Sequence, residues 1–194
     1  MPKWTKAHII DGFVSLLHRH SYPSITVEMV LNETDVSKTT FYRYFRNKAD
    51  VMDAYFQRIY DSALLDEGCR DLEDLFAAIL EKARRNPEQY RMFETTGYNS
   101  YRQFIYRYAL TMGTKIIETS WGRKLSEVEA FHVAFFCAGG SHAVEEFSRG
   151  QSYRSMGSRQ AAAEIASMMN SEYKVAIDEA MRANLREYIR RRDG

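Results

Sequence analysis

An all-α fold is predicted for this 194-residue chain by three observations. Only three prolines and ten glycines interrupt it. Apolar residues keep recurring at helical spacing, and no convincing pair of alternating strands occurs. The length suits a small N-terminal unit joined to a larger helical one.

The first helix is expected from about Thr5 to His18, where Ile10, Phe13, Val14 and Leu17 fall at i, i+3, i+4 and i+7 and make a stripe that must pack. Tyr22 and Pro23 break it. Thr26 is a good N-cap for a short second helix, with Glu28 in its first turn and Ile25 placed to staple onto Val30. Glu33, Thr34 and Asp35 make the turn, Ser37 caps a third helix, and Val36 can staple onto Phe41. Asn47 caps a fourth helix, expected to run to about Leu65 and to end in the Asp66, Glu67, Gly68 cluster, where the unit boundary is placed. The division is therefore 1–48 for the N-terminal unit, its linking helix continuing to about 66, and 67–194 for the rest.

In the second unit a helix is expected from about Leu72 to Arg85, followed by a short one that Pro87 would begin well. Ser100 to Ser120 and Glu127 to Arg149 read as long helices, the second opened by a Ser126–Glu129 capping box and closed by Gly150. A last stretch or pair occupies Ser158 to Arg191. Gly139 and Gly140 cost about 1 kcal/mol each inside a helix relative to alanine. They imply a close helix crossing in preference to room for a ligand.

Composition narrows the function. No apolar run approaches the roughly 20 residues that cross a bilayer, and Met1 to Lys6 lacks the start of a secretory signal, so a cytoplasmic protein with no membrane partner is expected. Cys69 and Cys137 are too few for a disulfide framework and too isolated for a zinc knuckle. His132 and His142 are too far apart for a helical metal pair, for which three or four residues is the usual spacing. Neither a metal nor a cofactor is expected. With no nucleophile beside a base, no Gly-rich phosphate loop and no paired carboxylates outside solvated faces, the chain does not read as an enzyme. The arginines at 182, 186, 190, 191 and 192 read as a solvated face.

The net charge of +1 is unevenly spread. Lys38, Arg43, Arg46 and Lys48 put +4 between Ser37 and Lys48 with no acid among them, which leaves −3 on everything else. A local basic patch sits on an acidic body. Two short helices across a tight turn, the second with small polar residues first and aromatics behind, make a helix-turn-helix. Lys38, Thr39 and Thr40 in the first turn suit base edges, Phe41 and Phe45 face inward, and the hydroxyls of Tyr42 and Tyr44 suit phosphates. Lys48 stands at a helix N-terminus, where a cation is unfavourable unless a DNA phosphate docks there.

The stretch from Ser24 to Phe56 resembles the DNA-binding domain of TetR/AcrR-family regulators. The matching residues are Ile25, Thr26 and Val27; Val36, Ser37, Thr40, Phe41 and Tyr42; and Tyr44, Phe45 and Lys48. The resemblance covers about the first third of the chain. It implies that Thr26, Tyr42, Tyr44 and Lys48 hold the DNA backbone while Lys38, Thr39 and Thr40 face bases. It also implies that the last two long helices, parts of Glu127–Arg149 and Ser158–Arg191, build a homodimer. The chain departs from the family in the turn, where Thr34 and Asp35 replace the usual Ala and Gly.

The reading that results is a sequence-specific transcriptional regulator, a repressor that binds double-stranded DNA at an inverted-repeat operator and is released by a small molecule. The aromatic stripes of the second unit suggest where that molecule binds: Tyr101, Phe104, Tyr108, His132 and Phe136 would line a site for an apolar or aromatic effector. A rival reading keeps the fold and the DNA but has no effector, as in an architectural or division-associated protein.

Overall fold

The computed structural model describes residues 2–64, 69–85, 100–150, 153 and 155–183, and among them every regular element is helical. Helix α1 (Pro2–Leu17) starts earlier than its apolar stripe requires and buries Ile9, Ile10, Phe13, Leu16 and Leu17. After a short 3₁₀ turn (Tyr22–Ser24) come α2 (Val27–Thr34), α3 (Lys38–Tyr44) and α4 (Lys48–Leu64). Their caps are the predicted ones. Thr26 Oγ1 accepts from the Met29 amide, Ser37 Oγ from the Thr40 amide, and Asn47 Oδ1 from the amides of Ala49 and Asp50. Glu33 and Thr34 remain helical, so the turn is shorter than expected and begins at Asp35, in the left-handed region with φ 51° and ψ 32°. Aspartate tolerates that region better than most residues.

The second part holds α5 (Leu72–Arg85), α6 (Tyr101–Trp121), α7 (Glu127–Arg149), α8 (Ser158–Ser167) and α9 (Ser171–Ala183). Helix α5 packs on α8, and α6 on α7 and α9. The expected final stretch is thus a pair of helices as far as Ala183, with Asn170 Oδ1 accepting from the Glu172 amide where the second begins. The expected boundary at Asp66 to Gly68, the short helix after Pro87 and the arginines beyond Arg182 lie outside the described residues.

Both long helices end on a left-handed glycine, Gly122 and Gly150. The Ser126–Glu129 capping box is complete and has a partner that the local sequence did not announce. Arg123 donates two hydrogen bonds to the Glu129 carboxylate, at 2.8 and 2.7 Å. These bonds first, and then the amide and hydroxyl of Ser126, lower the Glu129 pKa to about 2. A carboxylate whose folded pKa is depressed adds stability above its unfolded value, about 4.3, and loses it as pH falls toward the folded one. The wild-type chain should therefore exceed Glu129→Gln in urea midpoint at pH 7, with the gap closing between about pH 4.3 and 2. A gap that persists at pH 2 would assign the stabilisation to something other than the charged cap.

Buried side chains run without a break from Phe13, Ile25 and Phe41, through Val51, Met52 and Phe56 of α4, to Tyr60, Tyr101, Phe104 and Ile105. A second cluster joins Leu72, Met112, Ile117, Val133, Cys137 and Ile177. Cys69 and Cys137 are both buried, and burial pushes the Cys137 thiol up to about 12, as suits a packing residue.

The close crossing expected at Gly139 and Gly140 does not form within the chain. A methyl on Gly139 would meet nothing within 4 Å, and one on Gly140 would reach only the Phe76 ring, at 3.9 Å. The close approach occurs at Gly12 instead, where a methyl would overlap Thr34 Cγ2.

Candidate nucleic-acid interface

Helix α3 is fixed from behind. Phe41 and Phe45 are buried against each other, with ring centroids 5.8 Å apart. One face is thereby committed to the core, and Lys38, Thr39, Tyr42, Arg43 and Arg46 are exposed on the rest of α3 and just beyond it. Thr40 is half-buried, and its hydroxyl accepts from Ser37 Oγ at 2.9 Å, which leaves its own proton to donate. Tyr42 is 48% exposed and stands edge-on to Phe41, so its hydroxyl reaches out on a braced ring. Tyr44 is half-buried with the Arg43 guanidinium 5.1 Å above its ring. Thr26 is exposed at the start of α2.

The patch carries less free charge than the segment suggests. Arg46 is bound to Asp50, two residues beyond that segment: its backbone amide and Nε both donate to Asp50 Oδ2 at 2.9 Å. These bonds hold the Asp50 carboxyl below the usual range. Arg19 is likewise turned to Glu33, at 2.6 Å. His8 shares a 2.9 Å hydrogen bond with the Thr34 carbonyl, tying α1 to the turn ahead of α3.

Lys48 is where the structure departs furthest from the sequence reading. Its ammonium donates to the carbonyls of Tyr22, Pro23 and Ile25 at 2.8, 3.0 and 2.7 Å, and it sits 4.6 Å from the centre of the Tyr22 ring. A lysine has three N–H donors, and here all three are used inside the protein. Partial burial lowers its pKa. Lys48, expected as a phosphate ligand, has its ammonium committed to these three carbonyls in this structure.

Asp35 adds one negative charge at the approach to α3. Asparagine keeps the left-handed backbone and removes that charge. Two unit charges about 4 Å apart in water interact by about 1 kcal/mol, so Asp35→Asn should tighten all duplexes up to about five-fold at low salt, with the gain fading as salt rises. Titrations at two ionic strengths test this, and equal affinities at low salt would remove Asp35 from the interface.

The five expected effector residues fall into two groups. Tyr101, Phe104 and Tyr108 of α6 are turned onto α4. The Tyr101 hydroxyl pairs with that of Tyr60 at 2.9 Å, Tyr108 donates to Asp61 Oδ1 at 2.6 Å, and Phe104 packs on Phe56 at 5.3 Å. Their polar tips find partners on α4, the helix that follows α3. His132 and Phe136 lie elsewhere, in a mainly apolar groove of about 280 Å³ completed by Gly139, Met168 and Tyr173. His132 Nδ1 pairs there with the Tyr173 hydroxyl at 3.1 Å. His142 lies close to Glu145 and Glu146, yet Glu145 is already engaged by Arg102 and Arg149.

Beside that groove α7 turns an apolar stripe outward. Val128, Phe131 and Phe135 are 65, 66 and 75% exposed, and the exposed Met168 lines the same groove as Phe135. The bare Gly139 backbone follows on the same side, one turn after Phe135. Among the described residues, no helix is long and apolar enough to cross a membrane.

Comparison with known proteins places the N-terminal helices. Residues 9–55 match the family described as bacterial regulatory proteins, tetR family. The transcriptional regulator AcuR of Cereibacter sphaeroides is 42% identical over 74 residues, covering 34% of this chain and 34% of that protein. The chain thus spans about a third of the length of this curated relative. Among solved structures, the dihydroxyacetone kinase operon activator DhaS is similar over 88% of this chain and 97% of its own, at 18% identity and a TM-score of 0.49. The family match spans α2, the left-handed turn and α3, the elements that expose Lys38, Thr39 and Tyr42, so residues 9–55 of this chain are similar to the bacterial regulatory proteins of the tetR family.

Proposed function

We propose that this protein is a sequence-specific DNA-binding regulator that holds an inverted-repeat operator as a homodimer and represses by occupying it. The observation that carries this reading is the recognition helix. Its inner face is locked by Phe41 and Phe45, while Lys38 and Thr39 stand free at its capped start. Lys38, Thr39 and Thr40 read bases, and Thr26, Tyr42 and Tyr44 position the phosphates. The outward stripe of Val128, Phe131 and Phe135 supports the dimer, since contiguous exposed apolar surface of this kind marks an interface. Two-fold protein symmetry then imposes two-fold symmetry on the site.

Selection of bound duplexes from random DNA tests the proposal. The expected motif has a dyad with half-sites at least about 34 Å apart, one helical turn. Thr39→Val should shift preference at particular base pairs, by about 1 to 3 kcal/mol where a contact is lost. A motif without a dyad, or a monomer that binds at full affinity, would overturn it.

Release by an apolar or aromatic small molecule is the finer part of the proposal. It is supported by the aromatic seam between α4 and α6, because a ligand that separated Tyr101 and Tyr108 from α4 would also move the recognition unit. Such a ligand must weaken DNA binding by the same factor by which DNA weakens its own binding. The rival without an effector has an observation of its own: three of the five expected pocket residues are already paired or packed on α4. A thermal-shift screen of aromatic acids and apolar amides separates the two, the rival being favoured when nothing stabilises the protein.

A further inference from the structure

The carbonyls that hold Lys48 belong to the 3₁₀ turn and to Ile25, the residue immediately before the Thr26 cap of α2. Lys48 itself opens α4. Everything between Ile25 and Lys48 is the helix-turn-helix, so this one ammonium joins the residue that enters the motif to the residue that leaves it. Placing a cation in the first turn of a helix is unfavourable by itself, because that end of the helix dipole is positive. Three converging carbonyls and the face of Tyr22 reverse the local field and make the position favourable. The same contacts leave no proton on Lys48 for a phosphate.

We infer that Lys48 is a positioning residue for DNA recognition, a clasp that fixes Thr26 and the start of α2 relative to α3 and α4, and that it does not bind a phosphate. The inference rests on the DNA-binding reading above and assigns Lys48 a different role within it. A clasp and a phosphate ligand leave different signatures. Losing a phosphate contact weakens all sequences alike and lowers the salt slope of binding by about one. A lost clasp leaves the count of phosphate contacts unchanged but blurs the geometry that only the specific complex requires. The chemistry of the replacement matters too. Arginine serves a phosphate at least as well as lysine, but its planar fork cannot converge on three carbonyls as an ammonium does.

The test uses the full-length protein, a duplex selected by the wild-type chain from random DNA, and a scrambled duplex of the same composition. Lys48→Met keeps the stem and removes the donors. It should weaken the selected duplex by about ten-fold or more and the scrambled one by less than about two-fold, with the salt slope unchanged. Lys48→Arg should not restore the selected duplex. A slope lower by about one with equal losses on both duplexes, or full rescue by arginine, would overturn the clasp. Should Lys48→Met fold poorly, nitrogen-15 spectra of the lysine ammonium groups in the wild-type protein decide the matter. A slowly exchanging Lys48 signal in the free protein, unchanged on the selected duplex, supports the clasp; a freely exchanging one, or one displaced by either duplex, refutes it. If the wild-type chain selects no DNA, the DNA-binding reading has failed, and the free-protein spectrum still reports on the clasp.

Discussion

Gly12→Ala should cost more stability than any other single methyl added to the N-terminal unit. The new Cβ would overlap Thr34 Cγ2 where α1 crosses α2. Thr34 cannot turn away easily, because its Oγ1 donates to the Val30 carbonyl at 2.7 Å and its own carbonyl is bonded to His8. Overpacking at a tight site of this kind costs about 1 to 3 kcal/mol. Thr34→Ala alone removes that hydrogen bond and the offending methyl, a loss of about 1 kcal/mol. The double variant Gly12→Ala/Thr34→Ala should recover most of what Gly12→Ala loses, since the methyl it struck is gone. Urea unfolding of the four proteins measures the coupling, expected to exceed about 1 kcal/mol. Additive losses would mean that α1 simply moves aside. Gly12 and Thr34 thus read as a matched pair in this chain.

If the proposed dimer forms through α7, Phe135→Glu should convert it to a monomer and abolish tight binding to an inverted repeat. Phe135 is the most exposed ring on the α7 stripe, with Phe131 one turn before it and the bare Gly139 backbone one turn after. Aromatic anchors at the centre of an interface typically contribute about 2 kcal/mol or more, and an unpaired carboxylate buried there adds a penalty of its own. The ring has little to hold inside its own chain, so the monomer should melt near the wild-type temperature once the loss of dimer is allowed for. Gly139→Leu should act in the same direction by filling the open space beside the helix, where the proposed dimer would seat a second one. Sedimentation velocity at micromolar protein, read beside DNA titration, provides the check. A variant that stays dimeric would move the interface away from α7.

What was legible in the sequence was mostly local. The caps at Thr26, Ser37, Asn47 and Ser126, and the helix end at Gly150, each need only three or four neighbouring residues, and all stand as expected. The inward face of Phe41 and Phe45 followed from spacing alone. Contacts that join distant residues were not legible. Lys48 meets backbone carbonyls, which carry no residue identity, so nothing in the letters distinguished a clasp from a phosphate ligand. Tyr101 and Tyr108, expected at an effector site, bond to Tyr60 and Asp61, which lie 41 and 47 residues away. Arg46 was counted as free charge because its acid, Asp50, falls just past the segment. The salt bridge from Asp53 to Arg107, at 2.7 Å, joins α4 to α6 in the same long-range way.

The unbroken core through α4 has a consequence for engineering. Met52 and Phe56 are fully buried while one neighbour along the same helix, Tyr60, packs on α6, so α4 belongs to both parts of the molecule at once. A chimera made by joining residues 1–48 to the body of another protein with a similar N-terminal domain would bring in a foreign α4, whose outward and inward residues must fit two unrelated surfaces. Grafts that carry α4 together with its contacts on α6, Tyr101, Phe104, Arg107 and Tyr108, are the ones that should retain operator choice in a new host protein.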